Sequence, residues 1–201
     1  MRVLIKSARH KPSNSHAGKN SPLERKRILV FFIFMGLFSL SFWIGSMWDV
    51  PLEDAEVFNE EFQELIKDID GIGIFLHNSL IGLTMFIPGF GIAWGFFTSW
   101  QTGYAFAALA VLYPFLNDLP GGALALLYFS PFGAMELTAY SLGMSRSFLL
   151  IHKIIKKISI KPDAKIVAIE VGIAAGLLLA GGILEAYMIE AVDVDLLELG
   201  Q

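Results

Sequence analysis

The sequence predicts an all-α membrane protein: a polytopic bundle of five transmembrane helices with one amphipathic helix outside the membrane. Three observations predict this fold class. The 201 residues are 55% hydrophobic with a mean hydropathy of +0.60, which is too apolar for an ordinary soluble domain. Several uncharged runs are long enough to cross a hydrocarbon core of about 30 Å. The charges between these runs separate by sign, and this asymmetry orients membrane proteins.

The first 27 residues form a basic segment that we expect to be disordered and cytoplasmic. They hold eight Lys and Arg residues against one acid, Glu24, among Pro, Ser, Asn and Gly. We interpret this tail as a topology signal that also contacts anionic membrane lipid. Nucleic-acid binding is not expected, because the tail has neither a folded basic face nor an aromatic platform.

The first crossing is predicted at residues 28–48, which contain no charge and end near two tryptophans typical of the membrane interface. No signal-peptidase site follows, so we expect this helix to be retained. The next segment, residues 49–70, holds nine acids and one base. It predicts an outer amphipathic helix at 52–70 with an apolar stripe that includes Phe58 and Phe62. Its acids disfavour anionic lipid, so we prefer packing on the membrane domain over packing on a partner.

The second and third crossings are predicted at residues 72–90 and 91–116, within a run that has no formal charge. The turn between them lies either at Pro88–Gly91, the strongest breaker, or at the polar residues Ser99–Gly103. Alternatively, the piece between these two places is a short broken or re-entrant helix. Each alternative gives an even number of crossings between Asp70 and Asp118, so the predicted topology is the same.

The last two crossings are predicted at residues 121–145 and 166–189, separated by a basic loop. This loop and the tail together hold 14 of the 15 Lys and Arg residues. The positive-inside rule therefore places both in the cytoplasm of a multi-pass cell-membrane protein. The outer amphipathic helix and the C-terminus, with an acidic tail at residues 191–201, are then extracytoplasmic.

Small residues recur at helical spacing in two of the apolar runs. One row contains Gly91, Gly95, Ser99, Gly103 and Ala107, and the other contains Ala168, Gly172, Gly176 and Ala180. Small side chains let helix backbones approach closely in lipid. We expect the glycines of these rows, together with Gly133, to pack helices within a compact bundle. A homo-oligomer is the second use of such rows.

Glu136 is interpreted as the one formal charge well inside a span. A charge at the bilayer centre costs about 2.5–3.5 kcal/mol on insertion scales, so it needs a reason. Upstream, Ser130 and Pro131 resemble a helix start, with Ser as the N-cap, which predicts two half-helices in this segment. We expect the Glu136 carboxyl group to donate a hydrogen bond in this apolar setting. Its candidate partners are Asn78, Thr84, Thr98, Gln101 and the backbone carbonyls near Pro131.

Three interpretations of Glu136 follow, in order of preference. The first is a polar clamp that fixes helix packing, and the second is a proton or substrate site in a transport path. The third, a catalytic acid, lacks a second carboxylate or a nucleophile beside it, and His77 is expected near the outer edge. With no cysteine and no histidine pair at metal-ligand spacing, we expect no catalytic residue, cofactor or metal site.

Four stretches resemble the stage II sporulation protein M family, in a branch typical of archaea or other organisms that do not sporulate. They are Phe75–Ser79, Gly91–Gly103, Pro131–Ala139 and Leu177–Tyr187, and the resemblance covers about residues 25–190. Pro131, Gly133, Glu136 and Leu137 match the family's Pro-His-Gly-x-x-Glu-Leu motif, while Phe132 replaces its histidine. Glu185 matches the Glu-Ala-aromatic ending of the family's last helix.

The resemblance implies a membrane scaffold without catalytic activity of its own. In sporulating bacteria, the family member recruits peptidoglycan-degrading partners to the septum, a role that does not carry over to a cell without peptidoglycan. We therefore expect a non-enzymatic subunit that assembles or positions other membrane or envelope proteins. A transporter or channel component that uses Glu136 is the alternative.

Overall fold

The computed structural model describes residues 26–67 and 69–199, and this part of the chain is all helical, without strands. The predicted basic tail lies outside it except for Lys26 and Arg27, as do Asp68, Gly200 and Gln201. Seven α-helices are formed within the described ranges. They are α1 (Arg27–Ser46), α2 (Leu52–Ile66), α3 (Gly71–Thr84), α4 (Phe90–Leu112), α5 (Ala123–Phe129), α6 (Pro131–Ile155) and α7 (Ala164–Leu199).

Helices α1 and α4 pack with their backbones in close approach. A Cβ atom at Gly45 would collide with the carbonyl of Trp100, and one at Gly103 would collide with the carbonyl of Phe42. Hydrogen bonds also join the pair, because the Ser99 hydroxyl donates to the Phe38 carbonyl at 2.6 Å. Small residues thus bring these two helices together, and a serine satisfies a carbonyl between them.

Helix α7 packs on α6 and α3. Its buried face includes Ala174 and Leu178, which are fully enclosed. A Cβ atom at Gly182 would lie 2.9 Å from the carbonyl oxygen of Gly71, so α7 and the start of α3 also meet at their backbones. The side chain of Asp70 caps α3 by accepting a hydrogen bond from the Gly73 amide at 2.7 Å.

Helix α2 lies against α4, as the preferred sequence interpretation expects. Ala55 is fully buried there, in a small cluster with Ala107 and Ala108. The ring of Phe58 lies edge-on to that of Tyr104, with centroids 6.4 Å apart. The acids of α2 are exposed on its other face.

The chain turns between α3 and α4 at Pro88–Gly91, the first of the two places that the sequence allows. Gly89 has φ 78°, a backbone conformation that side chains disfavour. Its amide donates to the Ser147 hydroxyl at 2.9 Å, which ties the turn to α6. Helix α4 continues through Ser99–Gly103, and all five small residues of its predicted row are buried.

The predicted helix break before Glu136 is confirmed. Helix α5 ends at Phe129, and α6 starts with Pro131 as its first residue. Ser130 is the N-cap, and its hydroxyl accepts a hydrogen bond from the Gly133 amide at 3.0 Å. Gly133 fits against α5, because a Cβ atom there would collide with the Leu126 carbonyl.

The interior and the surface of the bundle differ in the way expected for lipid surroundings. Large apolar side chains such as Phe32, Leu80 and Phe129 are exposed, whereas Ser99, Ser141 and Ser147 are fully buried. The interior also contains bulky apolar side chains, including Phe38, Met144 and Leu149. The buried serines and the exposed large apolar side chains are therefore the two features that suit lipid surroundings.

Two of the described helices are long and apolar enough to cross a membrane, at Arg27–Ser46 and Lys161–Glu190, and Gly71–Thr84 is a shorter apolar helix. They give weak support for membrane association. The predicted count of five crossings is larger because the other segments are more polar or interrupted. Helix α4 includes Gln101, and α6 includes three charged residues, Glu136, Arg146 and Lys153.

The six glycines expected to pack helices divide into two groups. Gly91, Gly95, Gly103 and Gly133 each lie against a neighbouring segment. Gly172 and Gly176 instead have open space beside them, so the expectation that they pack within this bundle is corrected. The reason is that α7 turns its opposite face, with Ala174 and Leu178, toward α6 and α3.

Candidate functional site

A cavity of about 510 Å³ lies inside the bundle, and each of the seven helices contributes to its wall. Phe38 and Phe42 of α1 and Tyr140 of α6 provide aromatic surface, and Phe62 of α2 adds another ring. The polar part of the wall comes from α3, α4, α6 and α7. The polar side chains that line the cavity are His77, Asn78, Thr98, Thr102, Glu136, Tyr140 and Glu185.

Glu136 reaches this cavity because of the helix break. It lies about one and a half turns into α6, which starts at the Ser130 cap. The Asn78 amide donates a hydrogen bond to Glu136 Oε1 at 2.6 Å, joining α3 to α6. Asn78 was one of the expected partners, although the amide and not the carboxyl group is the donor. The other carboxyl oxygen, Oε2, has no hydrogen-bond partner among the described residues.

The remaining residues of the predicted polar site are placed apart from Glu136. Gln101 is exposed, because it lies on the outer side of α4 and does not line the cavity. Thr84 bonds to the Leu80 carbonyl of its own helix, and Thr98, which does line the cavity, bonds to the Trp94 carbonyl. Ser130 acts as the N-cap of α6. Of the four residues proposed for the site, Glu136 and Asn78 are brought together.

Glu185 belongs to the same cavity, which sequence reasoning did not foresee. It lies on α7, is half-buried, and has no hydrogen bond or ion pair within the described part of the chain. The sequence placed Glu185 near the outer end of the last crossing, among the acids of that end. His77 also lines the cavity, so Glu136 and His77 share one chamber. No local sequence motif predicts that Glu136, His77 and Glu185 line one cavity, because this depends on how α3 and α7 pack.

A second polar cluster lies at the other end of the bundle. Arg146 of α6 is 1% exposed and donates to both carboxyl oxygens of Glu170 on α7, with Nη2 to Oε1 at 2.7 Å and Nε to Oε2 at 2.5 Å. Arg27 at the start of α1 donates to the same carboxylate at 2.9 Å and to the Ser145 hydroxyl at 2.7 Å. Glu170 and Glu185 are about 22 Å apart along α7 at 1.5 Å per residue. We call Arg27, Arg146 and Glu170 the ion cluster.

The ion cluster corrects two sequence interpretations. Glu136 is not the one charge inside a predicted span, because Glu170 lies within residues 166–189 and is buried. Arg146 does not belong to the basic loop, since α6 continues to Ile155 and buries it. Lys153 is buried as well, and its Nζ donates to the Asp163 carboxylate at 2.7 and 2.8 Å. In the sequence, Arg146 and Glu170 stand near opposite ends of the predicted basic loop, while Lys153 and Asp163 are opposite charges within it.

The two ends of the bundle differ in chemistry. At one end, two arginines satisfy the buried Glu170 carboxylate, and their hydrogen bonds join α1, α6 and α7. At the other end, two carboxyl groups line a cavity in which the described wall contains no Lys or Arg. Among the described residues, no group of three or more His, Asp and Glu side chains is arranged to hold a metal ion. The cavity therefore offers sites for a bound solute, with carboxyl groups in an apolar wall.

Comparison with known proteins gives no match: no protein-family model, curated protein or solved structure is similar to this chain at a significant level.

Proposed function

We propose that the protein is an integral membrane protein with five crossings. The crossings are α1, α3, α4, the interrupted pair α5 and α6, and α7, while α2 lies at the outer surface. The exposed large apolar side chains and the serines buried between helices support this arrangement. Helix α3 is about 21 Å long at 1.5 Å per residue. It therefore needs the apolar turn at residues 85–87 to extend across the hydrocarbon core.

In this arrangement the N-terminus and the loop after α6 are cytoplasmic, and α2 and the end of α7 are outside. Exposed lysines Lys156, Lys157 and Lys161 in that loop support the orientation, as do the exposed acids of α2. The cavity then lies toward the outer face, and the ion cluster lies toward the cytoplasm.

Within this membrane domain, we propose that the protein binds a small solute in the cavity, as a transporter or channel component. The observation that carries this proposal is the 510 Å³ cavity itself, which is lined from all seven helices and contains Glu136. Cavities of this size accept small molecules, and a carboxylate beside a broken helix is a recurrent arrangement in transporters. In this proposal the ion cluster closes the cytoplasmic end of the path while the cavity is open to the outside.

The test uses the fact that the chain contains no cysteine. Thr98 lines the cavity and bonds only within its own helix, so Thr98→Cys introduces a reporter thiol with little disturbance. The variant is placed in sealed vesicles of each orientation and treated with thiol reagents that cannot cross the membrane, one cationic and one anionic. A transporter predicts reaction from the outside and a slower reaction from the inside.

Reaction from neither side would contradict a solute-accessible cavity. Reaction from the outside alone, under all conditions, would contradict transport. The matched control is Thr84→Cys, since Thr84 also bonds only within its helix but does not line the cavity. Its reaction rate from the outside should stay far below that of Thr98→Cys.

A scaffold of the stage II sporulation protein M type is the second proposal, and the exposed acidic face of α2 favours it. Glu60, Glu61 and Glu64 are exposed there, while the other face of α2 packs on α4. Such a face suits a basic segment of an envelope partner. Replacing these three acids with Gln should reduce the proteins recovered by cross-linking in native membranes. Unchanged recovery would contradict docking at α2.

A further inference from the structure

We infer that the cavity selects monovalent organic cations, such as a quaternary or primary ammonium group. This inference rests on the proposed function, because it names the class of solute that the same cavity would bind.

The charge of the wall provides the first argument. Glu136 and Glu185 both line the cavity, and His77 is the only described lining residue that can carry a positive charge. Glu185 has no ion pair among the described residues, and the Asn78 amide satisfies one of the two oxygens of Glu136. Carboxylates taken out of water are costly unless a cation or hydrogen-bond donors accompany them. A cationic solute would supply this missing partner and stabilise the ionised form of either carboxyl group, whereas an anion would not.

The aromatic side chains provide the second argument. Phe38, Phe42, Phe62 and Tyr140 line the same chamber as the two carboxyl groups. Aromatic faces attract ammonium groups, and they favour poorly hydrated organic cations over small inorganic ions. The Tyr140 hydroxyl also has no hydrogen-bond partner within the described residues, so it is free to bond a polar solute.

The geometry argues against a metal ion as the occupant. No group of three or more metal-binding side chains is present in the described part of the chain. Divalent ions require several oxygen ligands at about 2.0–2.6 Å, which draws ligands together around one point. Here the two carboxylates belong to a chamber of about 510 Å³ with a largely apolar wall. That volume suits an organic group better than a bare ion.

The experiment compares three thiosulfonate reagents on Thr98→Cys in nanodiscs, where both faces are open to solvent. One reagent carries a trimethylammonium group, one a sulfonate and one no charge, and each rate is divided by its rate with a free thiol in solution. We expect the cationic reagent to react about tenfold faster than the anionic one on this scale. Glu136→Gln and Glu185→Gln should each bring that ratio closer to one.

Competition provides a measurement that leaves both glutamates in place. Tetramethylammonium should slow the reaction of Thr98→Cys with the uncharged reagent. Neopentyl alcohol, a neutral molecule of similar shape, should not. If all three reagents react without charge preference and neither competitor protects, the cation inference is overturned while the solute-accessible cavity stands. If none of the reagents reacts, the proposed function fails as well.

Discussion

At the scale of single residues, Glu170 is the side chain on which the ion cluster depends. Its carboxylate accepts hydrogen bonds from Arg27 and Arg146, and Arg146 is almost completely buried. A buried ion pair contributes little compared with apolar side chains of the same size, but losing one member leaves an unpaired charge. The cluster therefore makes this end of the bundle sensitive to single changes.

Glu170→Gln should lower the free energy of unfolding by about 3–5 kcal/mol, because it removes the negative charge that pairs with the buried Arg146 guanidinium and with Arg27. The measurement is reversible unfolding in mixed micelles, with Glu190→Gln as the control because Glu190 is exposed. Adding Arg146→Met to Glu170→Gln should recover part of the loss. A double variant less stable than Glu170→Gln alone would contradict this account of the pair.

The hydrogen bond between Asn78 and Glu136 is a second buried polar contact that a single substitution can break. Asn78→Ala removes the donor to Glu136 Oε1. Leaving a buried polar group unsatisfied costs about 1–3 kcal/mol, so thermal unfolding in detergent should occur at a lower temperature. Glu136→Gln should be milder, because its side-chain carbonyl still accepts the Asn78 hydrogen bond. The clamp interpretation fails if both substitutions leave the unfolding temperature unchanged.

At the scale of helices, the close contact between α1 and α4 depends on two glycines. A methyl group at Gly103 would meet the backbone of Phe42 and Ser46, which cannot move aside as a flexible side chain can. The helices must separate to accommodate it. The neighbouring hydrogen bond from Ser99 to the Phe38 carbonyl would lengthen as a result.

Gly103→Ala should therefore destabilise the protein by about 1–3 kcal/mol, as overpacking does elsewhere. Gly36→Ala is the matched control on α1, since no atom lies within 4 Å of the added Cβ. It should leave stability unchanged or raise it slightly, because alanine favours helix. The comparison can be made from unfolding temperatures in one detergent. Equal losses of stability in the two variants would contradict the conclusion that the backbone contact at Gly103 stabilises the protein.

The break between α5 and α6 depends on its cap. Ser130→Ala removes the acceptor of the Gly133 amide and should cost about 1 kcal/mol. Thr84→Ala serves as the control, because it removes a hydroxyl that bonds only within its own helix. Stability loss in Ser130→Ala should exceed that in Thr84→Ala. The reverse order would contradict a capping role for Ser130.

At the scale of the whole molecule, the proposed topology makes α2 and the loop after α6 face opposite sides. Both contain exposed positions, Asp54 and Lys156. In the cysteine-free chain, Asp54→Cys should react with an impermeant maleimide only from the outside, and Lys156→Cys only from the inside. Labelling of both positions from the same side would contradict the three crossings proposed between α2 and the loop after α6.

Local signals predicted much of the fold, because caps, breakers and small residues act over a few residues. Ser130 and Pro131 predicted the helix break, and Pro88–Gly91 was one of two predicted turns. The other alternative was Ser99–Gly103, where α4 continues without a turn because the Ser99 hydroxyl is buried against the Phe38 carbonyl of α1, which removes its cost.

The site was less predictable, because its members come from distant parts of the chain. Glu136 stood out as a charge in an apolar run, whereas Glu185 stood out only as a match to the end of the family's last helix. Gln101 was drawn into the predicted site by its polarity, yet it lies on an exposed face of α4. Arg146 and Glu170 are 24 positions apart and meet through the packing of α6 on α7. Contacts between such distant residues depend on helix packing, which a single sequence does not reveal.

The central claim is that the cavity is the open, outer end of a proposed path across the membrane and that the ion cluster closes its inner end. The most direct test measures inside and outside labelling rates of Thr98→Cys with and without Arg27→Gln, which weakens the cluster while Arg146 still holds Glu170. The account predicts that Arg27→Gln raises the inside rate relative to the outside rate. An unchanged ratio, with labelling from the outside only, would contradict it.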